Sequence, residues 1–293
     1  MIDTIRFKIP YKVPHHLRTY FSQFSKPNFD RDGQFRFFQV FPQLPSSYSE
    51  IAVKLGDEDN GEDTYIECSY PKHSLGTNIY MAYADGLGNF LDTLRTKLEE
   101  TINTPSPRLN GKNHSLPVIN LIDQGEGYIK LPPVNSWVLH RLDICWNWKV
   151  GTDKEAMDYL GGYRGFSAKR KHRYNSETGF EDVGRNYTIK FYLKKPEFKI
   201  HDFSDISKKK GYEFAYNLLC EAEGIFRFET ELRKAQLLYE FGENLTWGQL
   251  KDKITNEEIK RLLKKYLDIY SQNLSSKAML GTKKQQFLLL SQS

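Results

Sequence analysis

The chain has 293 residues, 39% of them hydrophobic and 27% charged. This is the composition of a folded globular protein with room for a large core and one or two domains, and it excludes a disordered or fibrous chain. The net charge of +5 and the pI near 8.8 are compatible with a nucleic-acid partner without requiring one. No apolar run approaches the length of a membrane span, and the opening MIDTIRFKIPY has no signal-peptide core. Cys68, Cys145 and Cys220 are too far apart for a metal or redox spacing. Free thiols in a reducing cytosol are the expectation.

In chain order, alternation predicts a first strand over Asp3–Ile9 and a second near Phe35–Phe41, with the turn formers Asn28–Gln34 between them. GDEDNGED at Gly56–Asp63 reads as a solvated acidic turn, and its spacing does not fit an EF-hand loop. Tyr65–Ser69 reads as a strand. Leu87, Phe90, Leu91, Leu94, Leu98 and Ile102 recur at helical spacing and predict an amphipathic helix over Leu87–Ile102. The loop Thr104–Ser115 separates this half from the strands that resume at Val118.

Asp153–Leu160 and Gly211–Glu223 read as helices, and the pattern after Glu231 is wholly helical. There Thr255 and Glu258 have the spacing of a capping box, and Ile259, Leu262, Leu263, Tyr266 and Tyr270 form an apolar stripe. No repeat is visible in the sequence. The expected fold class is α+β, with a mainly antiparallel central sheet and flanking helices. The main domain spans 1–236, its two strand-rich halves joined near 104–116, and 237–293 forms a small helical C-terminal appendage.

Three strands carry the chemistry. RNYTIKFYLKKPE (Arg185–Glu197) puts Tyr187, Ile189, Phe191 and Leu193 on one face and Thr188, Lys190, Tyr192 and Lys194 on the other. HRLDICWNW (His140–Trp148) sets Leu142, Ile144 and Trp146 against Arg141, Asp143 and Asn147. FRFETELR (Phe226–Arg233) sets Phe226, Phe228 and Leu232 against Arg227, Glu229, Glu231 and Arg233. In a shared sheet the polar face gathers acids, bases and one tyrosine. That is the composition of a metal-dependent phosphodiester site. A solvated face with ordinary salt bridges explains the pattern as well.

A phenol is a poor nucleophile near its free pKa of about 10. The flanking lysines favour the phenolate and can hold a phosphate. Arg164, Lys169, Arg170, Lys171 and Arg173, within the stretch Tyr163–Arg173, are candidate DNA-backbone contacts. Tyr174 and Tyr163 are candidates for stacking on a base.

The opening MIDTIRFKIPY, the segment SYPKHSLGTNIY (Ser69–Tyr80) and the strands HRLDICWNW, TIKFYLKKPEF and FRFETELR resemble, in order and spacing, the gene II and gene X replication initiators of filamentous phages and small plasmids. The resemblance extends into the helices after Trp247. It implies a rolling-circle initiator that nicks one strand of supercoiled origin DNA through a tyrosine, keeps the 5′ phosphate as a phosphotyrosine, and later rejoins the displaced strand.

The resemblance further implies a divalent cation, magnesium or manganese, and a host helicase as a partner for which no motif is present here. By position it puts the nucleophile at Tyr192, metal ligands at Asp143 and Glu229 with Glu67 as a weaker third, and phosphate contacts at Lys194 and Lys190. Glu231 has no match in the family. The His-hydrophobe-His pair of many tyrosine nickases is absent: His15 and His16 are adjacent, and alternation turns His140 to the face opposite Asp143. Carboxylate oxygens would then favour magnesium or manganese over zinc. The alternatives are a conjugative relaxase, a nuclease that activates water with the same carboxylates, and a non-enzymatic DNA-binding regulator of replication.

Overall fold

The computed structural model describes residues 1–12, 26–29, 35–40, 51–57, 59–103, 130–163 and 171–272. Its framework is ten strands in one sheet: β1 (Ile2–Ile9), β2 (Lys26–Phe29), β3 (Phe35–Val40), β4 (Ile51–Lys54), β5 (Thr64–Ser69), β6 (Val138–Lys149), β7 (Lys171–Ser176), β8 (Gly179–Val183), β9 (Tyr187–Leu193) and β10 (Ile225–Arg233). The spatial order is β2-β3-β4-β5-β1-β6-β10-β9-β8-β7, and each neighbouring pair is antiparallel. The α+β class and the antiparallel sheet are as expected.

The strand order contains a repeat that the sequence hides. Outward from the centre, one half reads first strand, last strand, then the three between in reverse (β1, β5, β4, β3, β2). The other half does the same (β6, β10, β9, β8, β7). The antiparallel pair β1–β6 joins the halves.

The helices are α1 (Tyr70–Ser74), α2 (Leu87–Asn103), α3 (Asp153–Tyr163), α4 (Lys194–His201), α5 (Phe203–Lys210), α6 (Tyr212–Glu221), α7 (Lys234–Phe241), α8 (Trp247–Leu250) and α9 (Asn256–Gln272). Apolar positions of the alternating strands point to one face of the sheet and are covered there by α2, α3, α7, α8 and α9. Ile5, Phe7, Leu142, Ile144, Phe191, Phe228, Leu91, Leu160, Trp247 and Leu262 all belong to this core. Over the described residues 237–272 the chain forms the rest of α7 with α8 and α9, and its Leu237, Phe241, Leu250, Ile259 and Tyr266 pack into the same core. One half of the capping box forms, with the Glu258 amide donating to Thr255 Oγ1 at 3.2 Å.

On the opposite face, α4, α5 and α6 close over a smaller cluster made by Phe198, Ile206, Ala215, Leu218, Ala222 and Ile79. The acidic segment Gly56–Asp63 is a hairpin turn in which Asp57 and Glu62 exchange backbone bonds and Lys54 and Lys8 pair with Glu62 and Asp63.

Three local departures from simple alternation shape the polar face. The ladder between β1 and β6 slips twice. In β1 the slip lies between Ile2 and Ile5, so Asp3 and Thr4 both border one cleft. In β6, Arg6 faces Arg141 but Phe7 faces Leu139, which leaves His140 as the extra residue. Its ring lies edge-on to Tyr65, 5.1 Å between centroids. Tyr65 shares the face of Glu67, so His140 is on the polar face and not opposite it. Burial, helped by Lys234, Lys8 and Arg6, pushes its imidazole down to about 4.

The third departure concerns β9, which ends at Leu193. Lys194 opens α4 instead of extending the strand. Pro196 in that first turn explains the break, because a proline there gives up an amide hydrogen that a helix start leaves unpaired anyway.

The aromatic group around Phe191 holds β9 down. Its ring centroid is 5.0 Å from that of Phe228, 5.1 Å from Phe180, 5.8 Å from Phe226 and 5.0 Å from Tyr270. Phe191→Ala is expected to lower the unfolding free energy by about 3–5 kcal/mol. Urea denaturation followed by tryptophan fluorescence measures this, and a loss below about 1 kcal/mol would show that β9 is not anchored through this ring.

Candidate active site

The polar face of β9, β10 and β6 forms the floor of a cleft of about 460 Å³, bordered by Asp3, Lys72, Arg141, Asp143, Lys190, Tyr192, Glu197 and Glu229 among others. Backbone register assembles it. Lys190 lies opposite Glu229, which lies opposite Cys145; Tyr192 lies opposite Arg227; Glu231 lies opposite Asp143. The cross-strand partner of Tyr192 on its other side is Gly179. A Cβ added at Gly179 would come within 2.8 Å of Tyr192 Cβ and 3.2 Å of the Phe191 carbonyl oxygen. Glycine is what allows β8 to pass beside the tyrosine.

Tyr192 donates its phenolic hydrogen to Glu229 Oε2 at 2.7 Å, and Lys190 Nζ donates to Glu229 Oε1 at 2.7 Å. The sequence suggests that flanking lysines would favour the phenolate. The surroundings do the reverse. Burial pushes the phenol well above its ordinary range, and the Glu229 carboxylate adds to the push, with Arg227 opposing. Tyr192 is therefore a protonated phenol at rest, hydrogen-bonded to an ionised acceptor. Burial alone would raise Glu229, but the Lys190 charge and its hydrogen bond, then Arg227, hold it down at about 2.

Asp143 is buried and accepts two hydrogen bonds from Arg141, at 2.7 and 2.5 Å. Burial and the Glu229 charge push its carboxyl up, against the pull of Arg141 and Lys190. Glu67 stands further out, bound to Arg6 and, at 3.3 Å, to Arg141. Glu231 belongs to the network, 3.2 Å from Arg141 and 3.7 Å from Lys190.

Lys190 Nζ thus lies among three carboxylates, Glu229 at 2.7 Å, Glu231 at 3.7 Å and Asp143 at 4.0 Å. This is the place a divalent cation would take. Among the described residues no group of three or more His, Cys, Asp or Glu side chains is disposed to hold a metal. The acids that would be its ligands are engaged by Arg141, Lys190 and the Tyr192 hydroxyl. A divalent cation enters that place only if the Lys190 ammonium leaves it.

Lys194 is fully buried and pairs with Glu197 at 2.5 Å. Its ammonium is 5.9 Å from the centre of the Tyr192 ring, and burial, the largest influence on it, lowers its pKa. Tyr187, the competing tyrosine, packs on Tyr266 on the core side, 4.8 Å between centroids. Of the candidate DNA contacts, Arg164, Lys169 and Arg170 lie outside the described residues. Lys171 and Arg173 fall on the edge strand β7, opposite Val183 and Glu181. Tyr174, on the same strand, is opposite Phe180.

Residues that strand pattern did not single out complete the surroundings. Arg227 is fully buried beside Tyr192; it donates from Nε to Asn147 Oδ1 at 2.7 Å and from Nη2 to the Asn78 carbonyl. Its Nη1 is 3.8 Å from Asp3 and has no hydrogen-bond partner. Lys72, on α1, bonds Asp202 at 2.5 Å. Arg227 stood on the polar face in the sequence pattern, so its side was legible and its depth was not. Asp3 and Lys72 come from distant segments with no local signal.

A family model for the N-terminal part of the phage gene II replication-associated protein matches residues 1–249. No curated protein matches the chain. No helix among the described residues is long and apolar enough to cross a membrane.

The Glu229 carboxylate couples the site to stability. Its folded pKa of about 2 lies below the ordinary carboxylate value of 4.5. The stabilisation it brings is therefore complete above the unfolded pKa and is lost as the pH falls through that range toward 2. Lowering the pH from about 5 to about 3 should cost the wild type about 2 kcal/mol more than Glu229→Gln. Urea midpoints at the two pH values measure it, and equal losses would mean that Glu229 is not held down in the folded state.

Proposed function

The chain belongs to the family of the phage gene II replication-associated protein, a family of rolling-circle replication initiators, and on that footing we propose that it nicks and rejoins one strand of origin DNA through Tyr192. The observation that carries this reading is the 2.7 Å hydrogen bond from the Tyr192 hydroxyl to the ionised Glu229 carboxylate, at the wall of an open cleft. A phenol held above its ordinary pKa needs a base within hydrogen-bond reach at the moment of attack. Glu229 is that base.

In the proposed reaction Tyr192 Oη attacks the scissile phosphorus in line and its proton passes to Glu229 Oε2. The bond from phosphorus to the 3′ oxygen breaks, and that oxygen leaves as a hydroxyl after taking a proton from water. The products are a 5′-phosphotyrosine and a free 3′ hydroxyl that can prime synthesis. The phosphotyrosine keeps the bond energy, so attack by a later 3′ hydroxyl closes the strand without ATP. Glu229 gives its proton up to water between the two steps. In closing it accepts the proton of the attacking 3′ hydroxyl, and the departing tyrosine oxygen takes one from water, which restores the phenol.

Lys190, Arg141 and Arg227 supply the positive charge that meets the charge building on the phosphate. Glu229 is held by Lys190 on its other oxygen, which aims Oε2 at the phenol. The divalent cation implied by the resemblance finds no ready donor set here, and none of these steps is routed through one.

Covalent trapping tests the reading. The protein is mixed with a labelled single strand carrying the origin of its own replicon and run on a denaturing gel. Wild type is expected to give a protein–DNA adduct and Tyr192→Phe none. Glu229→Gln should form adduct about 10²- to 10⁴-fold more slowly, the usual contribution of a positioned base. An adduct retained in Tyr192→Phe would move the nucleophile elsewhere, and cleavage without any adduct would favour a nuclease that uses water.

Gly179→Ala tests the geometry around the nucleophile. The added methyl meets Tyr192 Cβ and the Phe191 backbone, so adduct formation should fall by about 10-fold or more while the far-ultraviolet circular dichroism stays unchanged. Wild-type rates in this variant would show that the position of Tyr192 is not set by β8.

A further inference from the structure

The helices α5 and α6 carry a surface that the cleft chemistry does not use. Lys208, Lys209 and Lys210 form the last turn of α5, and Gly211 turns the chain at a φ of 99°. Helix α6 then opens YEFAYNLLCE. Its inner positions Ala215 and Leu218 pack with Ile206 and Phe198. Tyr212, Phe214 and Tyr216 are 64%, 48% and 49% exposed; Tyr212 and Tyr216, four residues apart, share one face of the helix, and Phe214 lies on another. The Tyr212 and Tyr216 rings are 6.0 Å apart between centroids and within 15° of parallel.

The Tyr212 ring meets Phe203 edge-on, 5.8 Å between centroids, yet Tyr212 and Tyr216 both stay largely exposed. Their position gives them a direction. In the preceding helix Ile200, 73% exposed, and His201 border the cleft that holds Tyr192. Helix α4, which packs against α5 and α6, thus stands between the cleft and their lysines and tyrosines. Aromatic faces beside clustered lysines match single-stranded nucleic acid, in which unpaired bases stack on rings while phosphates meet ammonium groups. Duplex DNA keeps its bases stacked on one another and offers such rings no face. Glu213 is the one acid among these outward positions of α5's last turn and α6's first two turns, against three lysines.

We propose that the ridge formed by Lys208, Lys210, Tyr212 and Tyr216 binds single-stranded DNA across α4 from the Tyr192 cleft. The ridge holds the unpaired strand by stacking and phosphate contacts that do not depend on its sequence. The proposal rests on the strand-transfer reading only for the source of that strand, and its test does not use the chemistry.

The test is fluorescence anisotropy of a labelled oligodeoxythymidine of about 20 nucleotides, titrated with full-length Tyr192→Phe protein as the parent. Adding Tyr212→Ala and Tyr216→Ala together should weaken binding at least about tenfold, because each lost stack carries a sizeable part of the affinity. Tyr212→Phe with Tyr216→Phe keeps the rings and should bind like the parent. Lys208→Gln with Lys210→Gln should lower the slope of log affinity against log salt by about 1.4, at about 0.7 for each phosphate contact on a single strand. Lys251→Gln with Lys260→Gln, on exposed positions elsewhere, should leave that slope nearly unchanged.

Parent-like binding by the aromatic variant, with its circular dichroism intact, would overturn the proposal. So would loss of binding in the Lys251 and Lys260 control equal to that of the ridge lysines. A failed trapping assay with these binding differences intact would instead remove the nicking reading and leave the ridge standing.

Discussion

The antiparallel register of β6, β10 and β9 is the constraint on which the site depends. Side chains alternate across a strand, so a slip of one residue would send Tyr192, Lys190 and Glu229 into the core and bring Phe191 and Phe228 out. The core prevents the slip. Phe191 and Phe228 meet there with their centroids 5.0 Å apart, and Phe180 and Tyr270 close around Phe191. The same rings that stabilise the sheet therefore fix the 2.7 Å contact on its other face. Packing on one side and chemistry on the other are two consequences of one pairing.

That polar face is expensive to bury. Asp143, Arg227, Glu229 and Lys194 are each at most 4% exposed, and an isolated buried charge costs several kcal/mol. Each is matched: Asp143 by Arg141, Glu229 by Lys190, Lys194 by Glu197 and Arg227 by Asn147, Asn78 and Asp3. Pairing removes most of the cost without making such a network a better core than packed leucines would be. A fold that keeps so many charges under one cleft, with one carboxylate held at about 2 and a neighbouring carboxyl pushed up, is organised for chemistry more than for stability.

Much of this was legible in the sequence, and the reason is geometric. Period-two alternation reads directly onto the faces of a sheet, so Tyr192, Lys190, Asp143 and Glu229 fall together on pattern alone. What alternation cannot carry is any break in itself. The bulge that turns His140 toward Tyr65 and the helix start at Lys194 both interrupt the period. Contacts between distant segments were equally silent, so Asp3 and Lys72 were missed. The resemblance assigned the acids to a divalent cation; in the structure a lysine of the next strand stands among Glu229, Glu231 and Asp143.

The repeated strand order explains why one half of the sheet holds Tyr192. Glu67 on β5 and Glu231 on β10 each contact Arg141, at 3.3 and 3.2 Å, from opposite sides. Aligning the halves on these two residues sets Lys54 of β4 against Lys190 of β9, since Glu67 pairs with Ala52 as Glu231 pairs with Thr188. There β4 stops, after four residues, whereas β9 runs for seven and reaches Tyr192. The position equivalent to the tyrosine is Gly56, at the start of the acidic hairpin turn. Between β9 and β10 the chain instead inserts α4, α5 and α6, of which α4 lines the cleft with Glu197, Ile200 and His201. Two halves of like topology have thus diverged at one connection. A short turn leaves a supporting half that lends Asp3, Ser69 and Lys72, and a long helical insertion gives the other half, with Tyr192 and Glu229, a helix along the cleft.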